Sequence, residues 1–224
     1  MNLPALGTSV ILATISFVSC PRVLADTIVY NNTTTDTGDT LTYAVGPYTE
    51  IGDQIQLSGT NRYATTATVQ FYNNGTEAGT FNATLTLLNT GSPVGSVIGT
   101  YAVNGISAPL GGASGFDVNF TGIDTTVPDN LVFAVSVSGE SAGLNLGLDL
   151  FQPPTVGSSD DTFAIVSNGT YSDVSTADEN LFFELQATTV PLNTPEPSTM
   201  VLLATALVIL IALSRRHARS SQHN

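Results

Sequence analysis

Within residues 26–191, several stretches carry an apolar side chain at every second position, and this alternation limits the possible folds more than any other feature of the sequence. In the run from Leu144 to Leu150, leucine occupies the even positions and polar or glycine residues occupy the odd ones. The same alternation is present at residues 81–87 and 116–120. Successive side chains of a strand point to opposite faces, so the pattern predicts antiparallel strands with one buried face and one solvated face.

Strand candidates occupy most of this region, and Gly- and Pro-containing segments separate them. About ten short strands without helices predict an all-β fold, an antiparallel two-sheet β-sandwich of jelly-roll type. Leu131–Val137 is apolar at most positions, which predicts a central strand. The candidates are Thr27–Asn31, Thr40–Val45, Asp53–Ser58, Thr65–Tyr72, 81–87, Ser96–Val103, 116–120, Leu131–Ser138, 144–150, Thr162–Val166 and Asn180–Thr189.

The pair Asn74-Gly75 is typical of a two-residue hairpin loop. However, the apolar residues on both sides of it, including Phe71 and Phe81, are all odd-numbered. A two-residue loop would pair odd with even positions and place one apolar set in water. We therefore predict that Phe71 pairs with Phe81 across a longer loop or a bulge around Asn73–Gly79.

The C-terminal region contains an uncharged apolar run over residues 199–214, which lacks Pro and Gly. A spanning helix needs about 17 to 25 apolar residues, and Arg stems extend a short run by reaching the interface. We predict a transmembrane helix here. Arg215, Arg216 and Arg219 follow at once, and basic residues beside a span stay in the cytoplasm. Residues 215–224 are therefore predicted to form a basic cytoplasmic tail that sets the membrane orientation.

A short motif, Pro195-Glu196-Pro197, precedes this run within a linker over residues 192–198. The order of motif, span and Arg cluster resembles the PEP-CTERM sorting signal. The resemblance implies that a membrane protease-transpeptidase, exosortase, recognises Pro195, Glu196 and Pro197 and removes the tail. It also implies an exported chain, anchored in the inner membrane and then delivered to the cell surface or the medium, in hosts that make exopolysaccharide. Residues 26–191 resemble choice-of-anchor domains, which implies a β-sandwich without an assigned activity.

The N-terminal residues 1–25 read as a signal peptide, with an apolar segment at 10–18. Ala25 ends a small-residue cleavage site, so cleavage between Ala25 and Asp26 is predicted. This cleavage removes Cys20, the single cysteine of the chain. The alternative is a lipoprotein in which Cys20 carries the acyl chains.

The charge of the region between the two ends excludes several classes of function. Residues 26–194 contain 17 acidic residues and one basic residue, Arg62. Such a surface repels nucleic acid and anionic lipid. The chain has no Lys, and His217 and His223 both follow the apolar run, which excludes a Ser-His-Asp triad, a His-based zinc site and a Schiff base in residues 26–194. We expect a non-enzymatic protein without catalytic residues, metal or cofactor.

Acidic residues leave two alternatives open. Oxygen-rich runs at 36–39 and 158–161 are suited to Ca²⁺, although neither follows the twelve-residue loop pattern. A pair of carboxylates would serve a glycosidase. The candidates for that pair are Asp160, Asp161, Asp178, Glu179 and Glu184.

Tyrosines and threonines suggest two binding functions as further alternatives. A glycan- or exopolysaccharide-binding module would use loops and exposed rings such as Tyr48, Tyr63 and Tyr171. An ice-binding surface would need flat rows of Thr, although Thr is also an ordinary residue on the solvent face of strands. The Thr clusters are Thr33–Thr35, Thr66 with Thr68, and Thr84 with Thr86.

Overall fold

The structure is a computed structural model, and every described strand lies in one unit, residues 24–194. A second unit comprises residues 1–23 and 195–224. The signal peptide, the Pro-Glu-Pro motif and the basic tail lie outside the described residues, as does the predicted span apart from Thr205. Within the described part no helix is long and apolar enough to cross a membrane. The described residues are 26–43, 48–91, 94–111, 115–167, 170–175, 179–189 and Thr205.

The strands form two antiparallel sheets, which confirms the predicted all-β sandwich. The first sheet has the order β1-β13-β4-β9-β12, with β2 beside β9 and β7 beside β4. The second sheet has the order β11-β10-β3-β8-β5-β6. The described strands are β1 (Thr27–Asn32), β2 (Asp36–Thr42), β3 (Tyr48–Gln56), β4 (Tyr63–Asn73), β5 (Gly79–Thr90), β6 (Val94–Ala108), β7 (Phe116–Thr126), β8 (Asn130–Ser138), β9 (Leu146–Phe151), β10 (Ser158–Ser167), β11 (Thr170–Ser175), β12 (Asn180–Leu181) and β13 (Phe183–Thr188).

The alternation seen in the sequence builds the core between the sheets. In β5, every second residue from Phe81 to Leu87 is buried, and the residues between them are partly exposed. Phe133 of the second sheet stacks on Phe183 of the first, with ring centroids 3.8 Å apart. Each large apolar side chain buried in this way contributes about 1.5 to 3 kcal/mol. The inner faces of both sheets therefore form one core.

The predicted central position of the strand at 131–137 is confirmed, because β8 lies between β3 and β5. All residues from Leu131 to Val135 are buried, including those that point away from the core. Val132 and Ala134 pack with Leu88 and Ala164 in a second apolar cluster. A strand with apolar neighbours on both faces needs no alternation, which explains its continuous apolar sequence.

The predicted pairing of Phe71 with Phe81 is wrong. β4 belongs to the first sheet and β5 to the second, so the chain crosses between sheets at residues 74–78. The two rings face each other across the core, with centroids 5.2 Å apart. Because the apolar residues before and after the loop are all odd-numbered, the sequence did indicate correctly that both sets are buried and that the loop is longer than two residues.

The side chain of Asn73 holds this crossover. Its Oδ1 accepts hydrogen bonds from the backbone N–H groups of Gly75 and Asn145, at 2.9 and 3.2 Å. Its Nδ2 donates to the carbonyl oxygens of Glu77 and Pro109, at 2.9 and 3.2 Å. Asn73 is 1% exposed, so these bonds satisfy backbone groups that have lost water. Asn73 is therefore a structural clamp for the crossover, and the turn candidate Asn74 is the residue next to it.

The C-terminal strand region differs from the single predicted strand Asn180–Thr189. It divides at Phe182 into β12, which pairs with β9, and β13, which pairs with β4. The Phe182 ring packs edge-on against Phe151, with centroids 4.9 Å apart. β11 was not predicted, because its sequence TYSDVS is mostly polar and short. It pairs with β10 at the edge of the second sheet.

A buried carboxylate links the two sheets. Asp53 lies on β3 between the core residues Ile51 and Ile55 and is fully buried. Its Oδ1 accepts a hydrogen bond from Ser159 Oγ at 3.0 Å, and its Oδ2 accepts one from the Leu181 N–H of the first sheet at 3.3 Å. Burial raises the pKa of Asp53 well above its ordinary value, and the two hydrogen bonds oppose this only in part.

We predict that Asn73→Ala destabilises the sandwich by about 3 kcal/mol, because it leaves buried donors and acceptors without partners. The measurement is urea unfolding of a soluble form comprising residues 26–191, followed by circular dichroism. Asn74→Ala is the matched control, since Asn74 is exposed and one residue away. Equal stability of the two variants would contradict the clamp.

We also predict that Asp53 makes stability depend on pH. Folded Asp53 keeps a proton that the unfolded chain releases above about pH 4, so its contribution is greatest below that pH and is lost as pH rises toward the raised pKa. Asp53→Asn removes this loss. The variant should therefore gain stability relative to wild type over the range from about pH 4 upward, until the pH passes the raised pKa of Asp53.

Urea unfolding of both proteins across this range measures the difference, with Asp53→Ala as the second variant. Ala removes both hydrogen bonds and should be less stable than wild type throughout. A difference between wild type and Asp53→Asn that stays constant with pH would show that Asp53 is ionised in the folded state.

Candidate functional site

The predicted sorting residues lie beyond the described structure. Pro195, Glu196 and Pro197 and the three C-terminal Arg residues have no described geometry. Ala25, on one side of the predicted cleavage site, also lies outside it. Asp26, on the other side, is exposed and directly precedes β1.

A cleft with a volume of about 340 Å³ opens at one end of the sandwich. It lies where β2 and β8 end and β3 and β9 begin. The Tyr43 hydroxyl donates a hydrogen bond to the Val135 carbonyl oxygen at 2.8 Å, which fixes the ring at the wall. Burial raises the pKa of Tyr43 well above its ordinary value, and Glu50 adds to this. The lining residues are Tyr43, Thr49, Val137, Glu140, Leu144, Asn145 and Leu146.

Two polar side chains, Glu140 and Asn145, provide hydrogen-bond acceptors at this cleft. Glu140 is exposed after the end of β8 and brings a carboxylate to the rim. The Oδ1 atom of Asn145 is buried and accepts no hydrogen bond from the described residues. The backbone of Asn145 is fixed, because its N–H donates to Asn73 and its carbonyl oxygen accepts from Asn74. A donor that reaches this buried atom from the cleft would remove the cost of the unsatisfied acceptor.

The tyrosines singled out in the sequence do not form this site. Tyr63 is half-buried, and a hydrogen bond to Asp124, together with burial, raises its pKa to about 12. The side chains of Tyr48 and Tyr171 lie outside the described residues. Sequence reasoning missed Tyr43, because its apolar neighbours resemble an ordinary strand end. The unpaired amide of Asn145 gives no sequence signal.

The candidate catalytic carboxylates do not form a pair among the described residues. Asp160 lies on β10 of the second sheet, where its Oδ2 accepts a hydrogen bond from Gln54 Nε2 at 2.5 Å. Glu184 lies on β13 of the first sheet and accepts hydrogen bonds from Asn31 and Gln186. The described structure therefore separates these two acids. The side chains of Asp161 and Asp178 lie outside it.

A second group of acids gathers where β2 lies beside β9. Burial and the nearby Asp36 raise the pKa of Asp149 to about 6. Burial and a hydrogen bond to Asp39 raise the pKa of Glu179 above its ordinary value. In the described part of the chain, no three acidic, His or Cys side chains converge as a metal-binding group. Among the described side chains, which do not include Asp161, the runs 36–39 and 158–161 supply no group of three such ligands.

The threonine clusters do not share a plane. Thr66 and Thr68 lie on the outer face of β4 in the first sheet, and Thr84 and Thr86 lie on the outer face of β5 in the second. These are opposite outer faces of the sandwich, so the two pairs belong to different surfaces.

The single basic residue of the region, Arg62, is used within the fold. Its Nε bonds to Asp129 Oδ1 at 2.7 Å, and its terminal nitrogens donate to the carbonyl oxygens of Ser58, Gly59 and Asn61. These contacts hold the connection between β3 and β4 in place, and both terminal nitrogens of Arg62 take part in them. Arg62 is therefore a structural residue, and the surface available to ligands is acidic.

Comparison with known proteins locates one feature. Residues 193–216 match the family described as the PEP-CTERM protein-sorting motif. The match includes the Pro-Glu-Pro motif, the apolar run and Arg215 and Arg216, and it ends before Arg219. No curated protein and no solved structure matches the chain. The chain therefore carries a PEP-CTERM protein-sorting motif, which implies sorting by exosortase and secretion after the chain is held at the membrane before processing.

Proposed function

We propose that this chain is an exported, non-enzymatic protein of the cell envelope or extracellular matrix, delivered there through its PEP-CTERM tail. The observation that carries the proposal is the match over residues 193–216, in which motif, apolar run and Arg pair keep their order. Exosortase reads Pro195, Glu196 and Pro197 and removes the tail, while the Arg cluster keeps that end in the cytoplasm.

The N-terminal end supports the same route. Residues 1–25 combine an apolar segment with a small-residue cleavage site, so the mature chain begins at Asp26. The sandwich that follows has acidic side chains and one engaged Arg, which suits a soluble body outside the cell. A non-enzymatic role fits the separation of Asp160 from Glu184 on different sheets.

The sorting proposal predicts the fate of a variant in which Ala replaces Pro195, Glu196 and Pro197. In an exosortase-bearing host this variant keeps its C-terminal tail and stays in the membrane fraction, because the protease no longer recognises it. Wild type loses the tail and reaches the surface or medium. Intact mass of each fraction measures both ends at once, with Asp26 as the expected first residue.

Leu192→Ala is the matched control, since it lies just before the matched segment. It should be processed like wild type. A host without exosortase should retain the tail of every variant. Equal processing of wild type and the triple-Ala variant would refute recognition through Pro-Glu-Pro.

A second candidate function is glycan binding in the cleft at the end of the sandwich. The observation that favours it is the buried Asn145 Oδ1 atom, which has no donor among the described residues, beside the Tyr43 ring and the Glu140 carboxylate. Sugars present apolar faces and many hydroxyl donors, and such a cleft matches both. The acidic surface favours neutral sugars over those that carry uronic acids.

Glycan binding predicts that the folded protein retains neutral oligosaccharides on a glycan array. Asn145→Ala and Glu140→Gln should each weaken binding by about tenfold, since each removes one acceptor worth about 1.4 kcal/mol. Tyr63→Phe is the control, because Tyr63 bonds to Asp124 instead of lining the cleft. Retention that is unchanged in both cleft variants, or lost only in Tyr63→Phe, would contradict this site.

A further inference from the structure

The outer face of the first sheet carries a buried carboxylate that has no donor. Asp149 follows Leu148 on β9, and because Leu148 faces the core, Asp149 points to the opposite face. Asp149 is only 8% exposed. No hydrogen-bond donor among the described residues contacts its carboxylate. A charged group that has lost most of its water without a partner is costly, so a proton or a cation must compensate it.

A second acceptor points at the same place. Gln70 lies on the outer face of β4, and its Nε2 donates to Asp117 Oδ1 at 3.0 Å. This bond turns Gln70 Oε1 the other way. A Cβ atom added to Gly115 would collide with both Gln70 Oε1 and Asp149 Oδ2, so these two oxygens approach one point above a glycine backbone. Two acceptors that converge in this way need a hydrogen-bond donor or a cation between them.

A further carboxylate reaches this region from β2. The pairing of β2 with β9 jumps from Asp36 opposite Phe151 to Thr40 opposite Asp149, so β2 bulges at residues 37–39. The bulge brings Asp36 close enough to act on Asp149 electrostatically. Its turn is ordered, because Asp36 Oδ1 accepts a hydrogen bond from Gly38 N–H at 2.8 Å and Thr37 Oγ donates to the Leu150 carbonyl oxygen.

We propose that Asp149, Asp36 and Gln70 bind a calcium ion that fastens the β2 bulge to the outer face of β9. The donors are two carboxylates and an amide oxygen, which are hard oxygen ligands of the kind Ca²⁺ takes. Water completes its six to eight ligands, since no three acidic side chains of the described residues converge. So few protein ligands give an affinity like that of extracellular modules, with a Kd of roughly 0.1 to 1 mM.

The experiment measures thermal unfolding of the full-length protein in nonionic detergent, after removal of metal with EDTA. Adding about 10 mM CaCl2 should raise the Tm of wild type by about 3 to 5 °C, as a weak ligand of the folded state does. NaCl at equal ionic strength should not, because screening alone is not site binding. MgCl2 should give a smaller rise, since Mg²⁺ demands octahedral geometry and gives up water reluctantly.

Two variants locate the site. Asp149→Asn and Asp36→Asn should each lose most of the calcium-dependent rise, and Asp36 is exposed, so its variant tests the site without disturbing the core. Glu77→Gln removes one exposed charge elsewhere and should respond like wild type. Terbium gives an independent readout, because Tyr72 contacts the Gly147 backbone beside Asp149 and would sensitise its emission.

The outcomes separate the cation from its rival, a proton shared between Asp149 and Gln70. No calcium-specific rise in wild type would overturn the proposal in favour of the proton. An equal rise in all four proteins would overturn it in favour of non-specific binding to an acidic surface. A magnesium response as large as that to calcium would overturn the assignment of the ion.

Discussion

The burial of two apolar sheet faces against each other is the interaction on which the rest of the structure depends. Phe133 and Phe183 stack across this interface at 3.8 Å, and Phe71 meets Phe81 across it at 5.2 Å. The chain has no intact disulfide framework, since it contains a single cysteine. Stability must therefore come from this core and from the hydrogen bonds that close its ends.

Buried polar side chains form hydrogen bonds with backbone groups that the apolar core leaves without partners. Asn73 satisfies four backbone groups around the β4–β5 crossover, and Asn32 donates to the carbonyl oxygens of Phe151 and Leu181. Asp53 accepts a backbone hydrogen bond from the opposite sheet. Each of these residues is nearly inaccessible to water, so its geometry is fixed by partners. The same rigidity positions Asn145, the acceptor in the cleft.

Acidity gives the molecule its surface chemistry. Arg62 is engaged by Asp129 and by carbonyl oxygens, so the carboxylates elsewhere in the described region receive no cation from it. Asp149 with Asp36, and Glu179 with Asp39, consequently interact as like pairs. Two nearby carboxylates raise each other's pKa, and both pairs lie where β2 runs beside β9, whereas the cleft lies at one end of the sandwich.

The sequence by itself determined the fold class, the inward set of residues and the sorting motif. The alternation has a period of two residues, and the sorting motif is defined by the order of residues along the chain. Both can therefore be recognised without knowing which strands are neighbours. Tertiary structure decided which strands are neighbours: Phe71 and Phe81 face each other from different sheets, although their parity also fitted a hairpin. It also decided the sites, since Asp36 meets Asp149 and Asn145 joins Tyr43 only after distant strands pair. Whether a residue number is odd or even indicates which face of its strand the side chain lies on. Which strands pair with each other depends on long-range packing, which the local sequence pattern does not encode.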